Sequence, residues 1–180
     1  MKKIALVIGH RSLKQGAYGN AGVSEFAFYN RYIEELLPQL PKDKSYAIFR
    51  RKDDLSGYSE RMQELHSRID EWGADISISF HFNAFGNTIV NGHEILYCSK
   101  NGEKLAKSLD EKFDKYLNNS DRNIKKLTME DRGGGFVCRG KSICILVEPF
   151  FAAHQSEFML GGAQRQAMSK ALIEFIKELQ

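Results

Sequence analysis

Apolar positions along the chain recur with two different periods, and the switches between them mark the elements. In Ser77-Ile78-Ser79-Phe80-His81, with Ile76 before it, branched and aromatic residues alternate with Ser77, Ser79 and His81, the two-residue period of a strand with unlike faces. Gly73-Ala74-Asp75 leads into it, and Asn83 with Gly86-Asn87 closes it, so His81 falls at its C-terminal end. Ile4 to Gly9 is instead a continuous apolar run, as in a central strand buried on both faces, and His10 ends it. Ser45 to Arg50, Ile89 to Cys98 and Ser142 to Pro149 read as further strands, the last finishing on Glu148 before a proline.

Helical spacing takes over between these runs. Phe26, Tyr29, Ile33, Leu36, Leu37 and Leu40 form one stripe, with Ser24 as its cap, Glu25 in its first turn and Pro38 and Pro41 at its end. A carboxylate in a first turn is favoured by the helix dipole, which by itself accounts for Glu25. Met62, Leu65, Ile69 and Trp72 make a second stripe, beside which His66 and Arg68 are expected at the surface or its boundary. Leu105, Leu109, Phe113, Tyr116 and Leu117 make a third; Met168, Ala171, Leu172, Phe175 and Leu179 make the last. Residues 118–132 are polar and predict a long surface loop, and Gly133-Gly134-Gly135 a turn into a short strand over 136–139. Strands alternating with helices predict an α/β fold: a single twisted, mostly parallel sheet of about six strands with helices on both faces, in one domain spanning residues 1–180.

Composition narrows the classes. At 180 residues the chain can bury roughly 70% of its unfolded surface, and 42% hydrophobic with 27% charged residues is an ordinary globular mixture. A net charge of +3 without a Lys/Arg block argues against a nucleic-acid arm. Five apolar residues before Gly9, with no small-residue cleavage site, make a strand rather than an export signal, and no stretch is long enough to span or stably anchor in a membrane. Cys98, Cys138 and Cys144 cannot all pair, and two lie in apolar runs, so buried thiols are expected rather than a disulfide framework. The glycines of residues 11–22 shape a loop, but neither phosphate-binding glycine pattern is present.

Three strands thus end in a group capable of chemistry: His10, His81 and Glu148, with Glu25 opening the helix after the first loop. If those strands are neighbours, two imidazoles and a carboxylate supply three zinc ligands with one position left for water, and a further carboxylate is free to act as general base. The residues alone leave open which carboxylate binds metal. His93 and Glu94 are adjacent, so on a strand they point to opposite faces and would not ligate one ion together.

These pieces resemble the zinc-dependent N-acetylmuramoyl-L-alanine amidases of peptidoglycan cleavage. The matching stretches are residues 7–10 and 16–25, Arg50-Arg51-Lys52-Asp53 with Arg61 and Arg68, residues 74–84, residues 92–97 and residues 146–151, in family order along nearly the whole chain. The resemblance implies one Zn2+ held by His10, Glu25 and His81, with Glu148 as the catalytic carboxylate and peptidoglycan as the partner. Asn83 and Arg139 are candidate substrate contacts, though a turn-former and a solvated strand-end charge explain them as well. Tyr18 and Phe82 either line the groove or pack against the loop. Arg11-Ser12 departs from the small glycines common after the first histidine, which alters the charge at the rim. Without an export signal, the expectation is a phage-type lytic enzyme, made in the cytoplasm and reaching the wall through a separate pore. Two rivals remain: another zinc peptidase or amidohydrolase with the same ligands, and a wall-binding module that keeps only the shell.

Overall fold

A computed structural model of the chain describes residues 1–19, 22–84, 90–152 and 163–180; the expected turn residues Asn20, Gly86 and Asn87, and Ile89 at the start of a predicted strand, lie outside them. Six strands form one sheet: β1 (Lys3–Ile8), β2 (Ser45–Phe49), β3 (Ile76–Phe80), β4 (His93–Tyr97), β5 (Asp121–Lys126) and β6 (Ile143–Glu148), in the order β2-β1-β3-β6-β4-β5. The first four in that order run parallel, β4 is antiparallel to β6, and β5 runs parallel to β4. The reversal at β4 has a consequence for chemistry. The C-terminal ends of β1, β3 and β6 and the N-terminal ends of β4 and β5 all meet at one edge of the sheet.

The two-residue period sorts the strand side chains into two cores. Ile4, Leu6, Ile8, Ile78, Phe80, Ile95 and Val147 pack under α1 (Glu25–Leu36), α3 (Lys100–Tyr116) and α5 (Ala163–Glu178). Ala5, Val7, Leu96, Cys144 and Leu146 pack under α2 (Tyr58–Trp72) and the short α4 (Gly134–Val137). Both helix starts and stops follow from sequence: Ser24 caps α1 by accepting from the Ala27 N–H, and Gly73, at φ 77°, ends α2 by donating to the Ile69 and Asp70 carbonyls. Among the described residues, no helix is long and apolar enough to cross a membrane.

Four expectations are corrected. Within the polar stretch 118–132, residues 121–126 form β5, an edge strand; backbone pairing to β4 builds it, and only Ile124 reaches a core, so no apolar period announces it. Its Arg122, Lys125 and Lys126 are the charges that keep an edge from pairing with another chain. The glycine run opens helix α4 rather than a strand, because residues 134 and 135 are packed too closely for a side chain: a Cβ on Gly134 would collide with the Thr128 carbonyl, and one on Gly135 would lie 2.7 Å from the Tyr58 ring. His66 is buried, not at the surface, with its ring 5.2 Å from that of Phe136. Cys98 and Cys138 form a disulfide, leaving only Cys144 free and buried; chain folding brings together two cysteines 40 residues apart.

Closing a loop of 40 residues removes unfolded-chain entropy worth about 4 kcal/mol. Thiol titration of the denatured, unreduced protein should therefore find one free thiol instead of three. Cys98→Ser should lower the unfolding free energy by about 2–4 kcal/mol in chemical denaturation.

Candidate metal centre and cleft

The sheet edge where the strand ends meet is the floor of a cleft of about 770 Å³. His10 lies two residues beyond β1, His81 one residue beyond β3, and Glu148 is the last residue of β6; all three line the cleft. Because β1, β3 and β6 are consecutive neighbours, these groups are brought side by side. Alternation along β1 would send His10 to the face of Ile4, Leu6 and Ile8. Its backbone instead adopts φ 62°, a left-handed conformation uncommon for a non-glycine residue, and this turns the ring toward the edge.

Glu25, the first residue of α1, reaches the same point. Its Oε2 lies 3.1 Å from His10 Nε2 and its Oε1 2.8 Å from His81 Nδ1, and donor atoms of all three residues lie within 4.8 Å of one another. The loop between β1 and α1 is tied to this helix start: Ala17 N–H donates to Glu25 Oε2, Glu25 N–H to the Ala17 carbonyl, and Phe26 N–H to the Gln15 carbonyl. Gly16, at φ 80°, makes the approach feasible, since a Cβ there would sit 2.5 Å from Glu25 Oε2 and 2.6 Å from His10 Cδ2. Gly9 similarly leaves room for the His81 ring, whose Nδ1 would lie 2.8 Å from an added Cβ.

His81 is positioned from several sides. Its N–H donates to the Val147 carbonyl, its own carbonyl accepts from the Tyr29 hydroxyl at 2.7 Å, and Ser79 Oγ lies 3.1 Å from Nε2. With Nε2–H donating to Ser79, Nδ1 presents its lone pair to Glu25 and His10, the arrangement in which an outer partner orients a ligating imidazole.

The donor set fits a metal ion. Glu25 is 1% exposed, and its Oε1 lies 2.8 Å from His81 Nδ1 in a geometry poor for a hydrogen bond among the described residues, so the two atoms converge as two ligands of one ion would. Burial works against the Glu25 anion, but the two imidazoles outweigh it and bring the carboxyl down to about 2. Burial likewise disfavours the charged form of His81 and lowers its pKa, keeping the ring able to act as a neutral ligand. His10, Glu25 and His81 thus form a group able to hold a cation.

Glu148 meets a second carboxylate across the antiparallel β4–β6 pair, where Glu94 is its register partner. Burial, then the Glu94 charge, push the Glu148 carboxyl up to about 8. Burial opposes ionisation of Glu94 too, but Lys125 Nζ at 2.5 Å, the hydrogen bond with Glu148 and Arg122 Nε at 3.1 Å hold it ionised. The two shifts run in opposite directions, so a proton taken up by the pair belongs on Glu148. Both cations come from β5, the strand hidden in the polar stretch. Glu94 was not identified as a site residue from sequence. The signal was its place at the start of a strand antiparallel to that of Glu148, which only topology reveals.

The remaining expected contacts divide. Asn83 and Phe82 line the cleft, Asn83 being fixed by backbone bonds to Phe150 and Ala152. Arg139 is not among the described residues of the lining; its Nη2 lies 3.1 Å from Ser59 Oγ instead. Tyr18 is 62% exposed and also outside the lining. Arg11 lines the cleft and is held by the Asp53 carbonyl at 2.9 Å, and Lys14, Arg51, Arg61 and Arg132 add further positive charge to the wall. His93 and Glu94 do face opposite ways: Glu94 enters the cleft and His93 packs toward α3.

Comparison with known proteins agrees with this architecture. No curated protein matches the chain. Among solved structures, the catalytic domain of the N-acetylmuramoyl-L-alanine amidase CwlV from Bacillus (Paenibacillus) polymyxa var. colistinus superposes with a TM-score of 0.75 at 20% identity, over 98% of this chain and 99% of that one. The catalytic domain of the CD27L endolysin targeting Clostridia difficile gives 0.80 at 20% identity, over 98% and 97%. An N-acetylmuramoyl-L-alanine amidase from Clostridium difficile 630 gives 0.76 at 17% identity, over 99% and 98%. At these identities the likeness is one of fold. The profile of the N-acetylmuramoyl-L-alanine amidases matches residues 4–178, and the chain belongs to that family of enzymes, which hydrolyse an amide bond of peptidoglycan.

Proposed function

We propose that the chain is a zinc-dependent N-acetylmuramoyl-L-alanine amidase that uses His10, Glu25 and His81 as metal ligands and Glu148 as the proton-transferring group. The observation that carries this reading is the convergence of those three donors at the floor of a cleft whose wall holds the facing carboxylates Glu94 and Glu148. Zinc at such a set supplies Lewis acidity toward an amide carbonyl and activates water near neutral pH.

The chain's own groups do the rest. Glu148, ionised, accepts a proton from the attacking water; protonated, it returns that proton to the nitrogen of L-alanine as the amide carbon–nitrogen bond breaks. A carboxyl raised toward the working pH suits both halves of that exchange better than an ordinary one. Glu94, kept anionic by Lys125 and Arg122, holds the Glu148 proton at a fixed place. Arg11, Lys14, Arg51, Arg61 and Arg132 favour an anionic peptide stem, and Asn83, which lines the same cleft as His81, would hold its backbone. The likeness to an endolysin catalytic domain supports a lytic use of this activity.

Purified peptidoglycan should release new L-alanine amino termini without new reducing ends, as read by mass spectrometry of the fragments. A chelator should stop this and added zinc restore it. Freed amino groups at another residue would favour a different amidohydrolase, and no release at all a wall-binding shell.

Glu148→Gln should cut turnover at least about 100-fold while leaving bound zinc unchanged. It should also stabilise the metal-stripped protein at alkaline pH. In the folded chain Glu148 keeps its proton up to about 8, whereas the unfolded chain loses it near the ordinary 4.5, so the parent's stability falls as pH rises through that window. The variant's thermal midpoint should exceed the parent's most above the upper value, and the gap should narrow toward the lower one.

Gly16→Ala should lose zinc and activity together, because a methyl group enters the space of the Glu25 carboxylate and the His10 ring at a left-handed backbone position. Metal content and circular dichroism measured on the same sample distinguish this from unfolding.

A further inference from the structure

On the opposite face of β4 from Glu94, His93 enters a second cluster that the amidase reaction does not use. Its side chain is fully buried, against the ring of Phe113. Asn119 donates through Nδ2 to the Pro149 carbonyl, which fixes its amide so that Oδ1 faces His93 Nδ1 at 2.9 Å. Nδ1 must then carry the hydrogen, so in the neutral ring Nε2 holds the lone pair. That lone pair points at carboxylates: Asp114 Oδ1 at 3.4 Å, Asp110 Oδ1 at 3.6 Å and Asp121 Oδ1 at 3.8 Å.

A neutral imidazole in that place would turn its lone pair on three carboxylates and be repelled by each. Among the described residues, neither His93 Nε2 nor Asp110 Oδ1, both buried, has a hydrogen-bond partner. Something positive must stand between them, and the choice lies between a proton and a metal ion. The spacing decides. A protonated Nε2 would draw one carboxylate to about 2.7–2.9 Å, yet none comes that near. A four-coordinate ion with bonds of about 2.0–2.2 Å sets its donor atoms about 3.3–3.6 Å apart; the Asp114 and Asp110 oxygens fall in that range and that of Asp121, at 3.8 Å, just beyond it. Donor atoms of His93, Asp110 and Asp121 also lie within 4.8 Å of one another.

We propose that His93, Asp110 and Asp121 form a second divalent-cation site, with Asp114 at its rim. One imidazole with oxygen donors suits Zn2+ or Mn2+, while Ca2+ would call for oxygen ligands alone. The three ligands come from β4, α3 and β5, at the sheet edge where β4 and β5 begin. Burial and the neighbouring Asp121 already raise the Asp110 carboxyl to about 6, the electrostatic strain a cation would relieve. β5 has little apolar surface to dock it, so an ion fastening Asp121 to α3 would stabilise the strand that also carries Arg122 and Lys125.

The site is testable independently of the cleft. Wild type and His81→Ala, each stripped with chelator, re-equilibrated separately with Zn2+ and with Mn2+ and desalted, are assayed for ions per chain by mass spectrometry. With one of the two metals, His81→Ala should retain one ion, and adding Asp110→Asn or, separately, Asp121→Asn should remove it. That metal should also raise the thermal midpoint of His81→Ala by about 5 °C. If His81→Ala holds no ion and shows no shift with either metal, the cluster binds only a proton and the proposal is overturned. Should His81→Ala not fold, two ions per wild-type chain support the site and a single ion, lost in Glu25→Gln, overturns it.

Discussion

A buried carboxylate between two imidazoles sets the terms for the rest of this molecule. Glu25 is removed from water, and among the described residues His10, His81 and the Ala17 amide stand within reach of its carboxylate. An anion in that position is costly unless opposite charge is supplied. The surrounding structure holds it there nonetheless: Ser24 caps the helix that carries it, Gly16 and Gly9 clear the space, and Tyr29 and Val147 hold the His81 backbone. The two imidazoles offset that burial, and the arrangement keeps the donors poised for a cation.

The second carboxylate system works by contrast. Glu94 and Glu148 face each other across two strands, and like charges so placed repel. The repulsion is resolved unequally because Arg122 and Lys125 lie on the side of Glu94 alone. One member stays ionised and the other takes the proton, which separates their chemical roles as environment commonly does for paired acids. An edge strand with almost no core contact thus sets the protonation of a group two strands away.

The family motifs were legible because strand ends punctuate the sequence. An apolar run closing on His10, an alternating one closing on His81 and another closing on Glu148 announce both a parallel sheet and the edge where side chains leave it. Ser24 and Glu25 likewise mark a helix start. The misreadings share one physical origin: β5, α4, His66 and the Cys98–Cys138 bond are each defined by a partner distant in the chain. Edge-strand pairing uses backbone atoms that every residue has, and the glycines of α4 reflect crowding by the folded-back Thr128 carbonyl and by Tyr58, far earlier in the chain.

Periodicity and punctuation, properties of consecutive residues, determined the α/β class, most element boundaries and the identity of the groups at the strand ends. Tertiary structure alone decided the rest: the order β1-β3-β6 that makes those ends adjacent, the reversal at β4 that places Glu94 against Glu148 and His93 against Asp110 and Asp121, and the pairing of two cysteines. Local sequence encodes which face a side chain takes. Which other face it meets depends on how the strands are ordered, and that order follows from the packing of the whole chain.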